Sequence, residues 1–312
     1  HTATLGYGIE QCLAGAVRRG ELQIGDDLPQ MMLQILHQVV FQITLSEAEV
    51  KGSRAYIKGL ALASLPNFVS QYLLALKTAP NIRHRKRLTE RYQQSLRWST
   101  YLETGTQYQL TSQAIVNSLF DMIHIAGTAG TSALLGSVIG MLCLNEALKA
   151  DVIAEMDRLW SGKGAPTGEA LAQATLLQTT ILETARLYPP VRFVSQLATQ
   201  GGEVQIGSQK CPFQKGTRLL GSIFTANRDA VRYQNPDDFD LTRDFSDHLS
   251  WNEPSHERSC PGRDLSIGII QLFCWYLFKH YQWTSFTEVK WDFNKVTAVT
   301  PNSMVLKGFA PR

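Results

Sequence analysis

This sequence predicts a mainly α-helical fold with small peripheral β-sheets, and three observations carry that expectation. Apolar residues recur at helical spacing through most of residues 5–187. The segment from Met122 to Leu144 runs without a Lys, Arg, Asp or Glu, too long for a strand. Short β-prone pieces punctuated by Gly and Pro follow Pro189-Pro190. With 312 residues, 44% hydrophobic and 18% charged, the chain can bury a sizeable core. One domain over 1–312 is expected, with a helical part over 1–110 and the remainder over 111–312.

Leu5 to Val17 and then Leu28-Pro29 to Ile43 read as two helices, the second with Met31, Met32, Ile35, Leu36, Val39 and Val40 on its apolar face. Core packing is preferred over pocket lining for the methionine pair. Ser46 followed by Glu47 and Glu49 marks a third helix start, and Gly59 to Lys77 reads as an apolar helix interrupted at Pro66. The basic run Arg83-His84-Arg85-Lys86-Arg87 is read as a solvated helix face rather than a membrane or acidic-partner contact. Thr111 or Ser112 caps the helix that contains Met122 to Leu144, where His124 and Cys143 are the titratable groups. Its length suits a bilayer, but Gly127, Gly130, Gly136 and Gly140 with several Ser and Thr suit a helix threaded through a protein interior. Asp151 to Trp160 is amphipathic, Gly162 to Gly168 is a loop, and Glu169 to Leu187 is helical. Strands are expected around Val191–Ala198, Glu203–Ile206 and Thr217–Ile223, and a terminal hairpin over Val296–Phe309 that turns at Pro301-Asn302.

A net charge of +3 is too small to argue for nucleic acid. The cysteines at 12, 143, 211, 260 and 274 form no CxxC, no zinc spacing and no even disulfide set, which points to an intracellular chain. No signal peptide or membrane anchor is visible after His1.

The chemistry centres on Leu249 to Phe273, LSWNEPSHERSCPGRDLSIGIIQLF, where Cys260 follows a charged loop and precedes an apolar-periodic segment. Its sulfur is expected at the mouth of a helix, where unpaired N–H groups and the helix dipole stabilise a thiolate and suit it to bind a metal. Pro261 tolerates the missing donor of a helix start, and Gly262 lets a large flat group approach the backbone. A lone cysteine in this position is more often a packed small hydrophobe, so other residues must change the odds. Arg258 stands two residues before it, Glu183-Thr184-Ala185-Arg186 lies upstream, and Ala226-Asn227-Arg228-Asp229 and Pro236-Asp237-Asp238-Phe239 to Arg243 lie between.

In order and spacing these pieces resemble the cytochromes P-450, haem-thiolate oxidoreductases, over about Leu119 to the C-terminus. The resemblance implies haem b, with its iron held by Cys260, and Arg258 beside a haem propionate. It implies that Glu183, Arg186 and Arg243 form a buried charge network supporting the cysteine loop. Gln196 sits where the family often has a propionate arginine, and Arg192 is the candidate to compensate. It also implies a fold of the family's kind with a shortened N-terminal part, since no Trp-x-x-x-Arg is present.

Departures narrow the functional expectation. The family's distal helix carries an acid followed by Thr; here the stretch is Ala126-Gly127-Thr128-Ala129-Gly130-Thr131-Ser132. Set by Ala126-Gly127 the two slots are Ala129 and Gly130; set by Ala129-Gly130 they are Ser132 and Ala133. Thr128 or Thr131 is the candidate substitute alcohol, and His124 is a candidate proton carrier facing the iron's open side, with a satisfied core histidine as the plainer reading. Glu253 and His256 replace the cysteine loop's usual Phe and Gly, which resembles the peroxide-using allene oxide synthases and fatty-acid peroxygenases. The expectation is therefore oxidation of a lipophilic small molecule with peroxide-dependent or hydroperoxide-rearranging chemistry. Alternatives are a monooxygenase partnered by a reductase, and a truncated or degenerate haem or scaffold protein. The expected location is the cytoplasm, or a membrane reached through an N-terminal segment missing from this chain.

Overall fold

The computed structural model describes residues 2–63, 68–162, 164–245, 248–251, 259–293 and 299–312. Helix α1 (Thr2–Arg19) turns at Gly20, whose φ of 72° suits glycine, into strand β1 (Glu21–Gln23). Helix α2 (Ile24–Phe41) starts earlier than its apolar pattern shows, because the Asp27 carboxylate accepts from the N–H of Gln23 at 2.8 Å and closes the first turn. Gly25 is needed there: a Cβ would run into the Asn302 carbonyl and lie 2.9 Å from Asn302 Cα. Helix α3 (Glu47–Ala63) begins with the reciprocal cap that Ser46 and Glu49 announce, the Ser46 N–H donating to Glu49 Oε2 at 2.9 Å and the Glu49 N–H to Ser46 Oγ at 3.4 Å.

Helix α4 (Phe68–Gln93) carries the basic run, with Arg83, Lys86 and Arg87 exposed while His84 and Arg85 turn inward. The interruption expected at Pro66 lies outside the described residues. Helix α5 (Trp98–Gln107) is followed by α6 (Ser112–Asp121), capped by the Thr111 hydroxyl, which accepts from the Ala114 N–H at 3.2 Å. A six-residue π-helical turn, Met122–Gly127, joins α6 to α7 (Thr128–Leu144), so that one helix runs unbroken over 33 residues.

That helix is long and apolar enough to cross a membrane, yet 67% of its most apolar window is buried inside the fold. Leu135, Val138, Ile139 and Leu142 of α7 have no exposed surface. Its glycines allow close packing: a Cβ at Gly136 would lie 2.6 Å from Thr300 Oγ1 and 2.8 Å from Ile24 Cγ2. Helix α8 (Glu146–Leu159) is capped by Asn145 and so starts five residues before the amphipathic run expected from Asp151. Helices α9 (Gly168–Gln173) and α10 (Thr175–Leu187) follow the expected loop.

Strands β2 (Phe193–Leu197) and β5 (Arg218–Ser222) pair antiparallel, as do β3 (Gly202–Ile206) and β4 (Gln209–Phe213). β4 carries Lys210 and Pro212 and gave no strand signal in the sequence. Its hairpin closes on Gly207, at φ 59°. After the single turn α11 (Ile223–Ala226) and a 3-10 turn at Leu249–Trp251 comes α12 (Arg263–His280), nearly all buried beyond its first turn. β6 (Tyr281–Gln282), β7 (Ser285–Phe286), β8 (Val305–Lys307) and β9 (Ala310–Pro311) complete the chain.

The terminal hairpin is corrected, with 294–298 outside the described residues. A turn does form at Pro301-Asn302, the Met304 N–H donating to Pro301 O at 3.0 Å, but β8 pairs with β1 and β7, and β9 with β6. The end of the chain thus clasps its beginning. The core lies where α1, α2, α7, α10 and α12 pack together, with Leu13, Leu28, Leu135, Ile181 and Phe273 fully enclosed.

Candidate active site around Cys260

Cys260 stands two residues before Gly262, the residue that precedes α12, so its sulfur sits at the mouth of a helix. Cys260 is an exposed residue, whereas Cys143 and Cys274 are buried and Cys12 and Cys211 partly so. Its backbone is fixed on both sides: the Cys260 N–H donates to Trp251 O at 2.8 Å and the Arg263 N–H to Cys260 O at 3.2 Å. A Cβ at Gly262 would lie 3.8 Å from Cys260 Sγ, an ordinary van der Waals contact, so this glycine borders the sulfur directly.

Glu183, Arg186 and Arg243 come together in a buried cluster. Arg186 grips Glu183 bidentately, Nε to Oε2 and NH2 to Oε1 each at 2.7 Å, with both side chains fully enclosed. Arg243 Nε lies 3.2 Å from Glu183 Oε1, which also accepts from the Asp240 N–H at 2.9 Å. The remaining Arg186 donors reach the carbonyls of Asn227, Pro236 and Asp238 at 2.8, 2.7 and 3.0 Å. Arg243 binds the carbonyls of Gln234 and Asn235 at 2.7 and 2.8 Å. Every charge in the set is thus hydrogen-bonded, the condition under which buried ions are tolerated. The wandering segment 227–243 is held by side chains rather than by regular structure.

The residues expected on the open side of the long helix need correction. His124 is enclosed on the opposite side, stacked on Phe120 at 3.9 Å between centroids and edge-on to His37. Its Nδ1–H donates to Phe120 O at 2.9 Å, which leaves Nε2 to accept from the Ser53 hydroxyl at 2.9 Å; Ser53 in turn accepts from His84 Nε2 at 3.0 Å. Burial pushes the His124 pKa down to about 3, and the neighbouring His37 adds to the shift. Both nitrogens are occupied, so His124 is a satisfied core histidine. Thr128 is buried as well, its hydroxyl donating to Ile123 O at 2.7 Å across the π turn, and Thr131 is buried. The side chains that do emerge are Met122, Ile125 and Ala126, with Ala129 and Gly130 partly exposed, and a Cβ at Gly130 would meet nothing within 4 Å. That face selects the frame set by Ala126-Gly127, whose acid and alcohol slots are Ala129 and Gly130.

Arg192 is held in a cage of Phe193, Phe224 and Phe293, at 5.2, 5.2 and 5.8 Å from their ring centroids, and donates to the Phe293 carbonyl. Its buried Nε has no partner among the described residues, which leaves one donor available to an anionic group. Arg258, Glu253 and His256 lie outside the described residues. The expected prosthetic group fits what is described. An exposed cysteine beside a glycine provides the ligand position, and an apolar helix face with Gly130 open suits a flat, largely apolar ring.

The sequence gives no hint of Asn227, which is 1% exposed and joins the charge cluster to the turn before the cysteine loop. Its carbonyl accepts from Arg186, its Oδ1 accepts from the Leu249 N–H at 2.9 Å, and its Nδ2 donates to Ser250 Oγ at 3.1 Å. Its place in Ala-Asn-Arg-Asp was visible, but nothing in one sequence reveals a bond made 22 residues away.

Comparison with known proteins agrees with this geometry. The chain is similar to an ent-isokaurene C2/C3-hydroxylase of Oryza sativa subsp. japonica, 25% identical over 58% of this chain and 36% of the relative. It is also similar to a dolabradiene monooxygenase of Zea mays, 26% identical over 58% and 37%. A (+)-vincadifformine 19-hydroxylase of Catharanthus roseus is 26% identical over 53% and 34%. The matches thus span about a third of the length of these relatives. The crystal structure of the cytochrome P450DA heme domain superposes with a TM-score of 0.80 at 17% identity, covering 99% of this chain and 72% of that one, a likeness of fold. The model of the Cytochrome P450 family matches residues 80–306, most of the chain. The chain therefore belongs to the cytochrome P450 family, whose fold implies cysteine-ligated haem b.

Proposed function

We propose that this chain is a haem-thiolate oxidoreductase acting on a lipophilic organic substrate, with Cys260 as the iron ligand and peroxide as the preferred oxidant. The observation that carries the reading is an exposed cysteine at a helix mouth in a fold whose long helix turns an apolar face outward at Met122, Ile125, Ala126, Ala129 and Gly130. When bound, the haem supplies the oxidising chemistry, and a thiolate ligand favours O–O cleavage. This chain's own residues hold the sulfur in place through Trp251 O and the Glu183 cluster, and offer an apolar wall to a lipophilic molecule.

The choice of oxidant follows from protons. Among the described residues no carboxylate or hydroxyl stands at the Ala129 and Gly130 slots; the exposed Ser118 and half-exposed Asp121 lie eight or more residues earlier on the helix. Thr128 is turned away onto Ile123 O, and His124 has both nitrogens occupied. A peroxide arrives with its own two electrons and the protons of the water or alcohol it releases, so it needs no protons drawn in from solvent, only a transfer from one of its oxygens to the other. A reductase-fed monooxygenase is the second reading, favoured by the hydroxylase and monooxygenase names of the relatives. The test compares oxidation of one lipophilic probe by the haem-loaded chain under hydrogen peroxide alone with oxidation under NADPH and a reductase. Turnover with peroxide exceeding that with reductase supports the first reading; the reverse supports the second. No turnover of several lipophilic probes under either system counts against both.

A further inference from the structure

We propose that Asn227 is a positioning residue that ties the Cys260 backbone to the buried Glu183–Arg186 cluster through the turn Leu249–Trp251. An isolated turn of three residues has no stability of its own, so its place is set by bonds from outside. Each of its residues has one. Leu249 donates its N–H to Asn227 Oδ1 at 2.9 Å. Ser250 Oγ accepts from Asn227 Nδ2 at 3.1 Å and donates to Ala185 O, in the helix of the cluster, at 2.7 Å. Trp251 accepts from the Cys260 N–H at 2.8 Å, and its indole Nε1 donates to Ser266 Oγ, in the first turn of α12, at 3.2 Å.

Asn227 is the side chain that reaches two of these three residues, and its own carbonyl is held by Arg186 at 2.8 Å. Its backbone N–H is also used, donating to Ile223 O at 2.9 Å. The chemistry explains the residue type. The site needs one acceptor and one donor a carboxamide apart: Asp keeps the acceptor but brings a charge into a buried place, and Leu offers neither. The path from Glu183 to the Cys260 backbone therefore runs Arg186, Asn227, Leu249 and Ser250, Trp251, Cys260, with a hydrogen bond or a peptide link at each step.

The consequence for chemistry rests on Cys260 being the haem ligand; the consequence for the backbone does not, and the experiment separates them. Amide hydrogen exchange is followed at Leu249 and Cys260 in the unchanged chain, in Asn227→Ala and in Ser137→Ala. Ser137 is a control because it too is buried with two hydrogen bonds, to Trp291 and Val299, away from the turn. Exchange at both amides is expected to rise about tenfold in Asn227→Ala and to stay unchanged in Ser137→Ala. Cys260 exchanging in Asn227→Ala as it does in the unchanged chain overturns the proposal. Should Asn227→Ala not fold, Ser250→Ala removes one link and is expected to give a smaller acceleration at Cys260; none overturns the proposal. With haem added and carbon monoxide bound to the reduced form, Asn227→Ala is expected to lose the thiolate-type band in part while Ser137→Ala keeps it. An unchanged chain without that band defeats the ligand reading and leaves the exchange result to decide the role of Asn227.

Discussion

Arg243 and Glu183 lie 60 residues apart in the chain and meet at 3.2 Å inside it, with 8% and 0% of their side-chain surfaces exposed. Glu183 therefore faces two guanidinium groups, Arg243 and the Arg186 one helical turn away. Replacing Glu183 by Gln leaves Arg186 buried without its anion and Arg243 with only the partly exposed Asp240 carboxylate, 3.9 Å away. The expected loss is about 3–5 kcal/mol of stability, read from urea denaturation. Loss of well under 1 kcal/mol would mean that water or another acid reaches the cluster.

The buried histidines make stability depend on pH. Burial holds His124 down to about 3 and His37 down to about 4, and it also lowers His84. The charged groups that act on them are Arg85, Arg87, Arg91 and Glu49, with His84 acting on His37 and both acting on His124. A histidine whose folded pKa is depressed is neutral in the fold and protonates first in the unfolded chain. Its contribution is complete above the unfolded value of about 6.5 and is lost as pH falls from there toward 4 and 3. Stability is expected to fall between pH 6.5 and 4 by on the order of 1 kcal/mol per pH unit for each such group, and His124→Asn should flatten the slope. Denaturation midpoints across that range, which do not move for the unchanged chain, would contradict this.

Gly25 has no room for a side chain. Gly25→Ala forces the Asn302 backbone away from α2 and strains the clasp of β1 with β8; a loss of about 1–3 kcal/mol is expected in thermal or urea unfolding. Gly8→Ala, where a Cβ meets nothing within 4 Å, is the control and should be neutral or slightly stabilising.

The apolar face of the long helix makes a prediction about activity. Ala129→Glu combined with Gly130→Thr places an acid and an alcohol in the two slots on the exposed side. It is expected to raise reductase-supported turnover severalfold relative to peroxide-supported turnover, less than the roughly 10²–10⁴-fold that a fully positioned proton-transfer group supplies. An unchanged ratio would remove the proton argument for peroxide.

Much of this was legible in the chain, and the failures have physical causes. Glu183, Arg186 and Arg243 could be placed together because their order and spacing follow a known pattern, and Ser46 with Glu49 announced a helix start by chemistry that is local. His124 proved to be the satisfied core histidine of the plainer reading, and its alternative as a proton carrier could not be dismissed from sequence because the helix around it is not α throughout. The π turn at Met122–Gly127 changes the angle per residue, and in a stretch without charges no polar face reveals the change. β8 was given the wrong partner because it is three residues long and pairs with β1 near the other end of the chain as well as with β7, a choice made by packing rather than by a turn. Asn227 was invisible as a positioning residue because hydrogen bonds at long range leave no periodicity.

The most direct test of the account is the absorption spectrum of the haem-loaded chain, reduced and bound to carbon monoxide, beside Cys260→Ala. The account predicts a red-shifted thiolate–carbonyl band in the unchanged chain and its disappearance in Cys260→Ala, with both proteins equally folded by circular dichroism. The same band in Cys260→Ala, or haem bound to the folded unchanged chain with no such band, would contradict the assignment of Cys260 as the ligand.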